Sequence, residues 1–243
     1  MSKSNYTPGG LETSKFAAAK EPYYQGLEAI KGLGYTTEDY IHNFPCFTGH
    51  LTLARYLSLF NCYQKTLGIA GHIAELGVYM GACSMLFAKL TQIYEPNAVT
   101  QVHGFDWFKG ARNLSSEDRD NLTEGSYLEP KERVEALIRA QKLDHILKIH
   151  DLDMASEAVG EFFRKYRHMQ FKLVFFDIGI YEVVSNCLPY FWERTTPGGI
   201  IIFDQYNIDI APGETRAVRE LLPNVVVRTF QHGWIPTAYI VKE

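Results

Sequence analysis

No run of apolar residues in this 243-residue chain comes near the roughly 18 needed to cross a bilayer as a helix. Cysteine is scarce too. Cys46, Cys62, Cys83 and Cys187 form no CxxC pair and no Cys/His group at zinc spacing. That pattern excludes a zinc ribbon or a redox dithiol and predicts small, buried, reduced thiols of the cytosolic kind. An excess of one charge is also missing: 24 basic residues face 28 acidic ones, for a net charge of −4. Such a balance gives no reason to expect nucleic acid or an anionic membrane as partner. The opening "MSKSNYTPGG" is polar and has no apolar core of the signal-peptide type, so a cytoplasmic protein is the expectation.

What is present is material for a large core: 46% of residues are hydrophobic and 14% aromatic. Residues 1–20 read as a mobile arm and 21–66 as a helical cap. The cap ends in an amphipathic helix carrying Leu51, Leu53, Tyr56, Leu57, Leu59 and Phe60 at helical spacing. From residue 67 to 243 the pattern alternates. "HIAELGV", "TQVHGFDWF", "HILKIHDLDM", "FKLVFFDIG" and "GGIIIFDQ" read as strands separated by helices, and the segment after Val225 as a closing hairpin. Alternation of this kind predicts βαβ units and a parallel sheet. The wholly apolar "LVFF" and "IIIF" suit strands buried on both faces. Residues 110–130 read as a long polar loop, a candidate substrate lid.

Ligands of open α/β sheets bind outside the carboxyl ends of the strands. Here those ends carry Gly77, Asp106, Asp151 and Asp153, Asp177, and the pair Asp204-Gln205. In "AELGVYMGACS", Gly77 and Gly81 permit a sharp turn with backbone amides facing a ligand, while Glu75 lies inside the strand. The arrangement resembles motif I of class I S-adenosylmethionine (SAM) methyltransferases. By that resemblance Glu75, Gly77, Tyr79, Gly81 and Ser84 hold the amino-acid end of SAM. Asp106 accepts from the ribose hydroxyls beside Trp107, and Asp153 and Met154 adjoin the adenine. Asp106 also reads as a helix N-cap, and Asp153 as an Asp at a helix start with capping-box-like spacing.

Asp177 and Asp204 end strands joined by one helix, so their carboxylates should converge and repel, raising one pKa, unless a cation lies between them. With the amide oxygen of Gln205 they make an all-oxygen set suited to Mg²⁺, which would acidify a bound hydroxyl. The alternative is that both acids merely cap the segments that follow.

Together, "IAELGVYMGACSMLFAKL", "VHGFDWFKG", "FFDIGIYEVVSNCLPYFWERTTPGGIIIFDQY" and "PGETRAVREL" resemble the macrocin O-methyltransferase family. The resemblance implies a Rossmann-like class I methyltransferase with a mostly parallel seven-stranded sheet and a C-terminal antiparallel hairpin. It further implies Mg²⁺ at Asp177, Asp204 and Gln205, a sugar or glycosylated small molecule as acceptor, and a homodimer as the assembly to expect. The family pattern D-x-D-x-Y followed by D-D-Y matches at Asp177, Tyr181, Asp204 and Tyr206. It departs at Gly179 and Gln205, where acids are expected. Asp177 is the first choice of general base, ahead of His103, His150 and His232. A metal-independent methyltransferase and a non-catalytic SAM-binding protein are the competing readings.

Overall fold

The computed structural model describes residues 14–118, 122–231 and 235–243. Helices Lys20–Lys31 (α1), Thr37–His42 (α2), Phe44–Phe47 (α3) and His50–Lys65 (α4) precede the sheet. A 3-10 helix, Ser14–Ala19, leads into α1, so the end of the expected arm is helical. The capping box at Thr36, with Asp39 at N3, starts α2 as its sequence dictates.

Strands and helices then alternate: His72–Leu76 (β1), Ala82–Tyr94 (α5), Val102–Asp106 (β2), Lys131–Ala140 (α6), Leu147–Asp151 (β3), Ala158–Lys165 (α7), Phe171–Phe176 (β4), Tyr181–Arg194 (α8), Thr195–Phe203 (β5) and Pro212–Leu221 (α9). Arg228–Thr229 (β6) and Ala238–Val241 (β7) follow. The sheet order is β3-β2-β1-β4-β5-β7-β6, parallel through β5 and antiparallel at β7 and β6. The Rossmann-like expectation therefore holds, including the closing hairpin. Among the described residues, no helix is long and apolar enough to span a membrane.

All six residues of β4 are buried, as are the last five of β5, in keeping with their unbroken apolar sequence. Apolar clusters cover both faces of the sheet. One gathers Phe105, Phe163, Phe171, Phe176 and Phe191, the other Leu59, Tyr63, Phe87, Phe175 and Tyr239. The central strands end level with one another: Leu76 pairs with Phe105 and with Phe176, and Phe176 with Phe203. Gly77, Asp106, Asp177 and Asp204 consequently emerge side by side. The strand order reverses between β1 and β4, the switch point at which such sheets bind ligands.

Of the histidines weighed as bases, His103 and His150 do not line the cavity at this edge. His103 and His150 sit within β2 and β3 with their rings stacked, and His103 Nδ1 is 3.0 Å from His150 Nε2. Burial drives His103 down to about 3 and His150 down to about 4, so both are neutral at physiological pH. His232 lies outside the described residues.

Candidate active site

A cavity of about 250 Å³ opens at the carboxyl ends of β1, β2, β4 and β5. Its floor begins at the β1 turn. Gly77 has φ +90°, and a Cβ there would stand 3.0 Å from the carbonyl carbon of Asp177 and closer still to its oxygen. Only glycine allows the first turn to pass so near β4. Gly81, with φ +85°, is the N-cap of α5. Glu75 is buried and accepts a hydrogen bond from the Ser84 hydroxyl. Burial, reinforced by the charge of Asp177, pushes the Glu75 carboxyl well above the ordinary range. Glu75, Gly77 and Tyr79 line the cavity, whereas Gly81 and Ser84 stand behind them and shape the turn.

Asp106 braces this turn. Its Oδ2 accepts from the backbone N–H of Val78 (2.9 Å) and Tyr79 (3.1 Å), and its Oδ1 from that of Phe108 (2.8 Å). The carboxylate thus fixes the turn that follows β1. Among the described residues no helix starts directly after β2, so Asp106 is not the helix N-cap that its sequence also allowed. Trp107 donates its indole N–H to the Gly110 carbonyl and lies under the Arg112 guanidinium, 4.0 Å from ring centroid to Cζ. Arg112 also pairs with Asp153. Met154 is buried beneath, its carbonyl accepting from the Asn186 amide at 2.8 Å. Gly110, Ala111, Arg112, Leu122, Ser126 and Tyr127 of the polar loop wall the cavity on this side.

On the opposite side stands a residue that sequence reasoning missed. Arg55 of α4 donates from one guanidinium nitrogen to Asp204 Oδ1 and from the other to Asp177 Oδ2, both at 2.6 Å. The guanidinium lies over the Phe175 ring, Cζ 5.3 Å from its centroid. The three side chains are only 16%, 23% and 7% exposed for Arg55, Asp177 and Asp204. Burial opposes the charge on Arg55, but the two carboxylates outweigh it and hold the group firmly protonated. The convergence of Asp177 and Asp204 expected from topology is therefore real, and the cation between them comes from the chain.

A signal for Arg55 was available. It falls four residues after Leu51 and four before Leu59, on the face of α4 that turns inward, and a charge on a buried stripe demands a partner. Thr52, Arg55 and Tyr56 together form a polar patch at i, i+3 and i+4 that reaches the cavity. Leu57, grouped with the apolar stripe from sequence, is half exposed.

Gln205 lies across the neighbouring floor. A Cβ on Gly179 would stand 2.7 Å from Gln205 Cδ and nearer to Oε1. The Gln205 backbone N–H donates to Glu214 Oε2 at 2.6 Å. Burial, with the nearby charge of Asp204, pushes the Glu214 carboxyl well up. Tyr181 and Tyr206, the tyrosines of the expected pattern, do not line the cavity; Tyr181 donates its hydroxyl to Glu220 at 2.7 Å.

As arranged, the set Asp177, Asp204 and Gln205 does not fit a divalent ion. One oxygen of each carboxylate is already held by Arg55, whose positive charge would face the metal at contact range. A second group able to bind a cation, Glu75, Cys83 and Asp177, has its ligand atoms within 4.8 Å of one another. Burial favours the neutral form of both Glu75 and Cys83, which suits a hard cation poorly.

Residues 74–206 match the sequence model of a family described as a methyltransferase domain. The chain belongs to that methyltransferase family. Two crystal structures of the calicheamicin methyltransferase CalS11 resemble this methyltransferase over nearly its whole length. One has a TM-score of 0.77 at 24% identity, covering 99% of both chains. The other, an apo form described as a TDP-rhamnose 3'-O-methyltransferase, has a TM-score of 0.71 at 25% identity, covering 92% of this chain and 94% of that one. The O-methyltransferase NovP shares the fold at a TM-score of 0.61 and 16% identity over 78% of this methyltransferase and 79% of its own chain. Among curated proteins no sequence matches significantly.

Proposed function

We propose that this enzyme transfers a methyl group from SAM to a hydroxyl of a sugar or of a sugar-bearing small molecule. The observation that carries the reading is the placement of a carboxylate, Asp177, beside the glycine turn of β1 at the switch point of a methyltransferase sheet. The likeness to a TDP-rhamnose 3'-O-methyltransferase supports a nucleotide-linked deoxysugar as the acceptor class.

The residues present suit SAM. The cradle at Gly77, which a Cβ would fill, admits a ligand against bare backbone. In this reading Glu75, Gly77 and Tyr79 hold the amino-acid end of SAM, Asp106 and Trp107 the ribose, and Asp153 and Met154 the adenine. Gly81 and Ser84 set the shape of the turn. When bound, SAM supplies a methyl group on a positively charged sulfur.

The chain's own part is to position the acceptor and take its proton. Asp177 receives the hydroxyl proton on Oδ1, the oxygen not bonded to Arg55. The α4 patch of Thr52 and Tyr56 and the 110–130 loop form the walls that select the acceptor, which makes 21–66 a substrate-facing cap on the 67–243 domain.

Calorimetry with S-adenosylhomocysteine, followed by methyl-transfer assays on nucleotide-linked deoxysugars, tests the proposal. Binding of S-adenosylhomocysteine and labelled methyl groups on a sugar are expected. Absence of binding at millimolar concentration would overturn the assignment.

A further inference from the structure

We propose that Arg55 takes the place of a divalent ion at the Asp177–Asp204 carboxylate pair, so that methyl transfer by this chain requires no metal. The clause about transfer rests on the function proposed above; the claim about the carboxylate pair stands by itself.

Three observations converge. First, the two guanidinium nitrogens contact one oxygen of each acid at 2.6 Å, the separation of strong charge-assisted hydrogen bonds. The geometry is a clamp rather than a passing surface contact, because the guanidinium also lies over the buried Phe175 ring. A guanidinium cannot lose its proton at any physiological pH, so the cation is permanently installed.

Second, the side chain of the third expected metal ligand packs against Gly179. The Gln205 side chain fills the space above Gly179. An acid at 179 could not coexist with Gln205 in this position. The absence of one carboxylate and the replacement of another by an amide are thus one packing arrangement, and both remove negative charge from the site.

Third, the charge balance suits the reaction. Asp177 and Asp204 against Arg55 leave a single formal negative charge. That remainder is available to Asp177 as proton acceptor. A divalent ion beside Arg55 would reverse the sign and oppose binding of a positively charged sulfonium. Arg55 therefore acts as a positioning residue: it holds the Asp177 carboxylate oriented and separated from Asp204.

Titration of the full chain with Mn²⁺, followed by electron paramagnetic resonance with and without S-adenosylhomocysteine, tests the inference. The native protein should show no saturable Mn²⁺ site. R55M should gain one, binding at least tenfold more tightly, and R55M/D204N should lose it again. R55K, which keeps the charge, should remain as indifferent to Mn²⁺ as the native chain. Turnover should survive EDTA unchanged. A stoichiometric Mn²⁺ site in the native protein that D204N abolishes would overturn the inference, even if R55M fails to fold. So would Mn²⁺ binding by R55K equal to that of R55M. Loss of turnover in EDTA, restored by Mg²⁺, would overturn it as well. Failure of S-adenosylhomocysteine to bind would sink the methyl-transfer reading while leaving the Mn²⁺ result to decide the cation.

Discussion

The side chain of Gln205 lies so close over Gly179 that a methyl group at 179 would overlap it. A side chain at 179 requires Gln205 to move or to be shortened. G179A should destabilise the protein by about 1–3 kcal/mol, the usual cost of overpacking a filled site. Q205A in the same chain should recover most of that loss. Urea unfolding of the two single variants and the double variant measures the coupling, and simple additivity would refute the contact.

Arg55 has two anionic partners, and removing Asp204 leaves it paired with Asp177 alone. D204A should lower stability by about 1.5–3 kcal/mol, the usual worth of a hydrogen bond between charged groups. Combined with R55M the loss should be smaller than the sum of the two single losses. Equal and additive losses would mean that the clamp carries no net interaction.

His103 and His150 give a pH signature with a definite sign. Both fall well below their ordinary value of 6.5, to about 3 and about 4. Burial is the first cause for each. The unfolded chain therefore takes up protons below pH 6.5 that the folded chain refuses. Their contribution to stability is present above that pH and is lost as the pH falls towards about 4 and then about 3. The buried acids Glu75 and Glu214, raised in the folded state, work in the opposite direction over the same range. The test is accordingly a difference. Relative to native protein, H150F should become less destabilised, or more stable, by on the order of 1–2 kcal/mol between pH 7.5 and 5. A parallel pair of curves would show that His150 ionises freely in the fold.

Asp106 accepts three backbone hydrogen bonds that shape the glycine turn. Hydrogen bonds to a charged group contribute about 1.5–3 kcal/mol each. D106A should therefore weaken S-adenosylhomocysteine binding by roughly tenfold or more, equivalent to at least about 1.4 kcal/mol. D106N keeps acceptor capacity at the loop and should lose less stability than D106A. Calorimetry and thermal unfolding together separate the loop-bracing share from any direct contact.

The sheet was readable because its determinants are local. "LVFFD" and "IIIFD" state in a few letters both the double-sided burial and the polar exit of β4 and β5. Gly77 and Asp106 were readable for the same reason, since a turn and its brace lie within one βαβ unit. Arg55 was hidden by distance: its partners are 122 and 149 residues away, and the helix carrying it already had an adequate apolar stripe. The sequence pattern pointed to a divalent ion between Asp177 and Asp204, whereas the guanidinium of Arg55 lies there. Gly179 and Gln205 read as two separate departures from a pattern. Only the fold shows that one side chain fills the space left by the other.

The position of Arg55 on α4 makes the boundary near residue 67 a poor place to cut. A fragment starting there would retain the whole sheet yet leave Asp177 and Asp204 facing each other without their guanidinium. Exchange of the N-terminal helices between relatives, as a way to alter acceptor choice, carries the same hazard. A donor segment would have to bring its own cation at the position of Arg55, or be paired with a recipient whose acids had been changed to match. In the proposed function, the residues that face the acceptor and the residue that balances Asp177 are inherited on one helix.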